Sequence, residues 1–269
     1  MIRYNIYGNN LSIVQAKPEN MRKENRLLWI LFLVMLFIRI AVTMDYWILL
    51  ILISASLSIM LLRKNGLPSK KYKISAIVFA LLASIAYLGY QRDPLILIYG
   101  ILRAGIITLV SSAAVFSVME KRGGFRLIRN EDRHSAVCSI GIGVLTGAVL
   151  SVINIIISGE TVSFRFSLWN ILLSLNPAIY EEMACRAVFM AFCVYAASGE
   201  KMSPADSFTM YFMMCVPHTI VHGYGAAETL ILCAVFGLPF ALLQRKRDIA
   251  SAMISHGIVD AVRFTLIGF

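Results

Sequence analysis

Charge is scarce in this sequence. Asp, Glu, Lys and Arg make up 15% of the 269 residues while 59% are hydrophobic, and a soluble domain carries roughly 25% charged residues. Low-complexity tracts, internal repeats and long linkers are also missing, which excludes a disordered chain, a collagen and a coiled coil. The five cysteines (Cys138, Cys185, Cys193, Cys215 and Cys233) stand singly in apolar runs without CxxC spacing. They read as small buried residues, so neither a disulfide scaffold nor a cysteine metal site is expected. Period-two alternation over about 10 residues, the mark of a transmembrane barrel strand, does not occur: Leu27 to Ile38 is apolar on every side. The first apolar run has no Ala-x-Ala exit behind it and is expected to be a retained span, not a cleaved signal.

What remains is a succession of apolar runs, each near the 20 residues that a helix needs to cross a bilayer. The runs are Leu27 to Met44, Tyr46 to Leu62, Ile74 to Tyr90, Leu95 to Met119, Ser135 to Ser158, Leu168 to Ala197, Ala205 to Val221, Ala227 to Leu243, and Ile249 to Ile267. Only helices and closed barrels satisfy their backbone in lipid. The expected fold is therefore an all-α, polytopic transmembrane helix bundle of about 8 to 9 spans. Residues 1–26 form a cytoplasmic N-terminal segment and residues 27–269 a single transmembrane domain.

The formal net charge of +10 lies mainly in four stretches: Arg3 to Arg26, Arg63 to Lys73, Lys121 to Arg133, and Arg245 to Arg247. With the N-terminus cytoplasmic and one crossing per run, all four fall on the cytoplasmic side, as the positive-inside rule demands. Basic loops so placed touch membrane lipids, and no aromatic-interleaved basic face points to nucleic acid. The run from Leu168 to Ala197 is too long for one ordinary span and holds Asn176-Pro177. A new helix is expected to start near Pro177, since proline suits a first helical position and disfavours helix through its predecessor.

Ionisable groups at membrane depth are costly and mark function. In the first half only Arg39 and Arg103 qualify, each near a span end where a long side chain can snorkel. The last third holds Glu181, Glu182, Arg186, His218, His222, His256 and Asp260. Glu182 and Arg186 are four apart on one helical face and can pair, which leaves Glu181, about 100° around the helix, available for chemistry. His218 and His222 share a face if their helix continues past Pro217, although Gly223-Tyr224-Gly225 signals a loop just beyond. His256 and Asp260 repeat the same spacing on the last run. Glu181, Glu182, His218, His256 and Asp260 are expected to line one cavity, towards the outer half by the crossing count.

These residues resemble the CAAX prenyl protease and bacteriocin-processing (CPBP, or Abi) family of intramembrane proteases. Its marks are Glu-Glu-x-x-x-Arg, here Glu181, Glu182 and Arg186; then Phe-x-x-x-His; then His-x-x-x-Asn or Asp, here His256 and Asp260. The middle motif departs, because Met214 stands four residues before His218 and His218 itself stands four before His222. The choice rests on His218, whose distances to the other motifs resemble the family's, with His222 as the alternative. The match covers about 176–262. The resemblance implies peptide-bond hydrolysis in the membrane, with Glu181 as general base, His218 its partner, Glu182 and Arg186 orienting the site, and His256 with Asp260 stabilising an oxyanion. An ionised Asp260 would repel an oxyanion, so it is either protonated or orients His256.

No cofactor is expected. Zinc held by Glu and two His is the less favoured reading, since HExxH spacing is absent. The partners expected are membrane lipids and a peptide or protein substrate, lipidated or not, and no nucleic acid. The place expected is a membrane, the cytoplasmic one if the cell is bacterial. The competing reading is a noncatalytic CPBP-like scaffold, immunity or regulatory protein. A proton-relay transporter is disfavoured because its polar residues would come from two repeated halves, and bis-histidine haem ligation has little support.

Overall fold

The computed structural model describes residues 22–42, 46–89, 93–131, 133–198 and 200–268. Nine helical rods run through them: α1 (Lys23–Val42), α2 (Tyr46–Asn65), α3 (Lys70–Ala86, prolonged by a 3-10 turn at Tyr87–Gly89), α4 (Pro94–Arg122), α5 (Arg133–Ser158), α6 (168–197), α7 (Pro204–Ile220), α8 (Ala226–Arg247) and α9 (Ile249–Leu266). No strand occurs among the described residues. Side-chain caps set four of the described starts, Ser167 among them, whose Oγ accepts from the Trp169 N–H (3.1 Å) ahead of α6. Asp93 accepts from the N–H groups of Leu95 (2.9 Å) and Ile96 (3.2 Å) ahead of α4. Ser203 accepts from Asp206 (3.0 Å) ahead of α7, and Asp248 from Ser251 (2.8 Å) ahead of α9. Each cap satisfies amides that have no partner inside the helix.

Each rod follows one of the nine apolar runs, and the protein is a polytopic transmembrane helix bundle. Six rods meet a strict measure of length and hydropathy for crossing a membrane: α2, α3 with its 3-10 turn, α4, α5, α8 and α9. The other three fall outside that measure. α7 is 17 residues long, α6 carries Glu181, Glu182 and Arg186 at its middle, and α1 opens on Lys23 and Glu24. Most of the N-terminal segment 1–26 lies outside the described residues, as does the side chain of Arg39.

The expected break before Pro177 is not found. Residues 168–197 form one continuous rod whose middle, Asn176–Ala187, is π-helical, with Leu175 and Asn176 both in helical conformation. The proline lacks an N–H to donate, and the wider i→i+5 turn absorbs that loss without ending the helix. Such turns occur often at functional sites.

α6 is the hub of the bundle. Residues 176–194 are all buried, and the π-helical turns are wrapped by α2, α3, α4, α7 and α9. Long apolar side chains point outward, such as Phe37 (70% exposed) and Ile156 (73%), whereas Ser54, Ser58, Ser111, Ala83 and Ala104 are at most 1% exposed in the interior. Small residues let membrane helices approach closely, because apolar surface gains nothing by leaving lipid. Ser54 Oγ accordingly donates to the carbonyl of Ala184 on α6.

α5 and α9 meet at Gly143 and Gly147, a GxxxG pair. A β-carbon at Gly143 would lie 2.8 Å from the carbonyl oxygen of Ser251, and one at Gly147 would lie 2.9 Å from that of Ser255. Only glycine permits this approach, and it fixes the height of α9 one residue before His256.

The basic loops gather at one end of the bundle. Arg22 pairs with Glu200 (2.7 Å), Ser69 N–H donates to Glu120 (2.8 Å), and Ile249 N–H donates to the carbonyl of Arg126 (3.0 Å). The Arg122 guanidinium lies over the Tyr195 ring near the end of α6 (5.4 Å), joining these contacts into one face.

Candidate active site

α6, α7 and α9 bring six of the singled-out residues together. Arg186 is the centre. Its guanidinium binds Glu182 Oε1, stands 2.9 Å from His218 Nδ1 on α7, and stands 3.3 Å from His256 Nδ1 on α9. His218 Nε2 is 2.7 Å from Glu181 Oε2. An arginine only donates, so Nδ1 of His218 is the acceptor of that pair and the ring proton sits on Nε2, donated to Glu181. The chain Arg186, His218, Glu181 thus has one direction, from guanidinium to carboxylate.

A second chain runs through His256. Its Nδ1 is 2.7 Å from Glu182 Oε1, and its Nε2 is 3.3 Å from Asp260 Oδ2 and 3.9 Å from Glu181 Oε2. The ring stacks on Phe240 at 4.6 Å, and Phe240 also lies under Arg186 at 5.2 Å. The imidazole is therefore held by both nitrogens and by one face, and Asp260 addresses the nitrogen nearest Glu181.

The cavity beside these groups measures about 330 Å³ and is lined by Glu181, Arg186, His218, His256 and Asp260, with Leu232, Phe236 and Phe264 among its apolar walls. Glu182 corrects one expectation, for it is not in the wall. Its residue is 0% exposed, and its carboxylate is fully engaged by Arg186, His256 and Gln244, the last donating from Nε2 to Oε2 (2.6 Å) and to the Glu182 carbonyl (3.1 Å). A buried charge is tolerated when every lone pair has a partner.

His222 also reaches the cavity. Helix α7 continues through Pro217 to Ile220, and His222 lies in the turn that follows, its N–H donating to the Thr219 carbonyl at 3.3 Å. Its ring centroid is 5.1 Å from that of His218, and Trp47 of α2 packs edge-on against both imidazoles. Ligand atoms of Glu181, His218 and His222 lie within 4.8 Å of one another. Ligands about 2 Å from a tetrahedral zinc lie about 3.4 Å apart, so this trio fits such an ion after closing slightly, and its Glu-His-His chemistry suits one.

Four participants lie outside the ionisable residues picked from the sequence: Gln244, Asn154 in the cavity wall, Trp47 and Phe240. Asn154 and Phe240 sit inside apolar runs, Trp47 is the second residue of one, and Gln244 is the residue just past the run that ends at Leu243. A count of polar rather than ionisable residues in such runs would have found Asn154, while Gln244, beside Arg245, reads as an ordinary span end and nothing local distinguishes the two aromatics.

The signature residues, the helices that carry them and most of the cavity wall fall between the loop before α6 and the last turn of α9. Residues 163–262 match the type II CAAX prenyl endopeptidase family, Rce1-like. This agrees with the resemblance drawn from the three motifs, and the Rce1-like segment takes in all six site residues. Helices α1 to α5 lie outside the match, yet Trp47 and Asn154 reach the Rce1-like site from there. No curated protein and no solved structure matches the chain.

Proposed function

We propose that this protein is an intramembrane endopeptidase that cleaves a hydrophobic or membrane-associated peptide with a water activated by Glu181. The observation that carries the reading is the directed chain from Arg186 through His218 to Glu181, placed on a cavity wall within the Rce1-like segment. Hydrolysis inside a bilayer lacks bulk hydroxide, so the base has to belong to the protein and sit beside the water. Glu182 is spoken for by three donors and makes a poor base. Glu181 meets the cavity and has one close donor, His218, which holds the carboxylate in place and leaves its other lone pairs for water.

The cycle follows from these contacts. Glu181 takes a proton from the water as oxygen attacks the scissile carbonyl, and later returns it to the departing amine. The negative charge that develops on the carbonyl oxygen is met by His256 Nε2–H, a donor worth most where water is scarce. Glu182, 2.7 Å from Nδ1, and Asp260, 3.3 Å from Nε2, hold that ring against the cavity. Asp260 on this reading orients His256 and does not itself touch the oxyanion. His222 is the alternative partner for Glu181, in reach from the turn after α7. If zinc were bound, Glu181, His218 and His222 would hold it, and the ion would lower the pKa of its water.

Leu232, Phe236, Val259 and Phe264 suit apolar side chains on either side of the bond. The family's description points to prenylated CAAX substrates, and a prenylated and an unprenylated peptide of one sequence, compared side by side, decide whether this protein requires the lipid. With the basic end cytoplasmic, the N-terminus is cytoplasmic. His218 and the Tyr224 loop then lie in the outer half of the cytoplasmic membrane. The direct test is a peptide-cleavage screen of purified protein against its Glu181→Ala form: cleavage by the first and none by the second supports an enzyme, and identical behaviour supports a scaffold.

A further inference from the structure

At the basic end, away from the candidate active site, the 123–131 loop folds against the end of α8 and encloses a cavity of about 280 Å³. Its walls include four arginines, Arg126, Arg129, Arg245 and Arg247, with the single carboxylate of Glu131. What the guanidinium groups bind is informative. Arg129 donates to the carbonyls of Arg247 (3.2 Å) and Lys246 (2.9 Å), and Arg245 donates to the carbonyl of Gly124. Arg247 donates to Ser139 Oγ (2.9 Å) and to the Ser135 carbonyl (2.6 Å). Neutral partners aim a guanidinium and hold it still without discharging it.

Two carboxylates are near enough to offset this charge among the described residues. Glu131 pairs with Arg126, and buried Asp248 stands 3.9 Å from Arg247. Four cations against two anions leave a surplus of two positive charges in one cup. The cup is also rigid. The Arg129 backbone N–H donates to Asp248 (3.0 Å), and the N–H groups of Ile249 and Ala250 donate to the carbonyls of Arg126 and Leu127 (3.0 and 2.8 Å).

Planar guanidinium forks match the oxygens of a phosphate, and basic pockets between transmembrane helices on the cytoplasmic side suit lipid head groups. The volume equals about nine water molecules at roughly 30 Å³ each, enough for a phosphate and part of a glycerol. We infer that this cup is a phosphate-binding site, occupied by the head group of an anionic phospholipid. The reason for favouring the lipid is position: the arginines cap α4, α5, α8 and α9 where those helices leave the apolar layer. The inference is independent of the peptidase reading.

The test uses full-length protein in neutral-lipid mixed micelles, titrated with phosphatidylglycerol in one series and inorganic phosphate in another, with the melting temperature as readout. The expected result is a saturable rise with phosphatidylglycerol. Arg126→Gln and Arg245→Gln should each raise the half-saturating concentration about tenfold or more, while Glu131→Gln, which removes the opposing charge, should lower it. A Lys70→Gln, Lys73→Gln double variant, altered in a different basic loop, should titrate like the parent. A saturable rise with inorganic phosphate, sensitive to the same variants, would keep the cup and assign it to soluble phosphate. No saturable shift with either probe overturns the inference, and so does an equal loss in the lysine variant, which would mean diffuse surface charge. Because Arg245 also holds the Gly124 carbonyl and its loss can unfold the loop, Glu131→Gln supplies the decisive sign: unchanged or weaker binding there refutes the site.

Discussion

Replacing Gln244 by Met removes two hydrogen bonds to Glu182 while keeping the length and bulk of the side chain. Gln244 is 0% exposed and donates to the carboxylate at 2.6 Å and to the carbonyl at 3.1 Å. In a soluble protein a bond to a charged group and a neutral one would together contribute about 2 to 4.5 kcal/mol. Between membrane helices such bonds average about 0.6 kcal/mol each and reach about 1.7, because the dissociated helices also find partners. The membrane figure governs here, so Gln244→Met should cost about 1 to 3 kcal/mol, or a fall in melting temperature of roughly 2 to 12 °C at about 2 to 4 °C per kcal/mol. Peptide cleavage should slow as well, because Glu182 anchors both Arg186 and His256. Thermal melting in detergent and kcat on a cleaved peptide are the assays. A variant that melts within a degree of the parent and cleaves at the same rate would refute the claim that Gln244 holds the pair in place.

Glu182→Gln should be harsher, about 3 to 5 kcal/mol, because Arg186 loses its only carboxylate partner in the buried network; melting curves should rank it below Gln244→Met. Gly143→Leu forces a side chain into the Ser251 carbonyl and should cost about 1 to 3 kcal/mol or more, with lower kcat since α9 carries His256 and Asp260. Prolonged chelation should leave cleavage intact on the metal-free reading, whereas a loss restored by zinc alone would assign Glu181, His218 and His222 as ligands. A cysteine placed at Ser69 should resist an impermeant thiol reagent applied to intact cells, and efficient labelling would invert the topology.

Much of this architecture was legible because lipid leaves a chain few options. The nine apolar runs became nine rods, and the four basic stretches, as far as they are described, came to one end. The spacing of Glu182 to Arg186 and of His256 to Asp260 placed each pair in contact. Pro177 misled because the local rule for proline assumes an i→i+4 ladder, and the π-helical turn that accommodates it depends on packing from five other helices. Asn154 was passed over because it carries no charge, although an amide inside an apolar run is itself costly, and Gln244 because it follows the run that ends at Leu243 and adjoins the basic Arg245 to Arg247 stretch. The GxxxG at Gly143 and Gly147 was readable and explains how α9 comes close enough to bring His256 to Arg186. The position of Trp47 against two imidazoles is a purely tertiary fact, brought about by α2 crossing α7.

The central claim is that Glu181 is the base. Its most direct test is the rate of cleavage, under single-turnover conditions, by Glu181→Gln and by the parent on one peptide, with melting curves of both. The amide retains the size of the side chain and an oxygen for His218 Nε2–H, so the melting temperature should stay close to that of the parent. The rate should fall about 10²- to 10⁴-fold, the usual loss of a general base. A well-folded Glu181→Gln protein that cleaves at the parental rate would contradict the account.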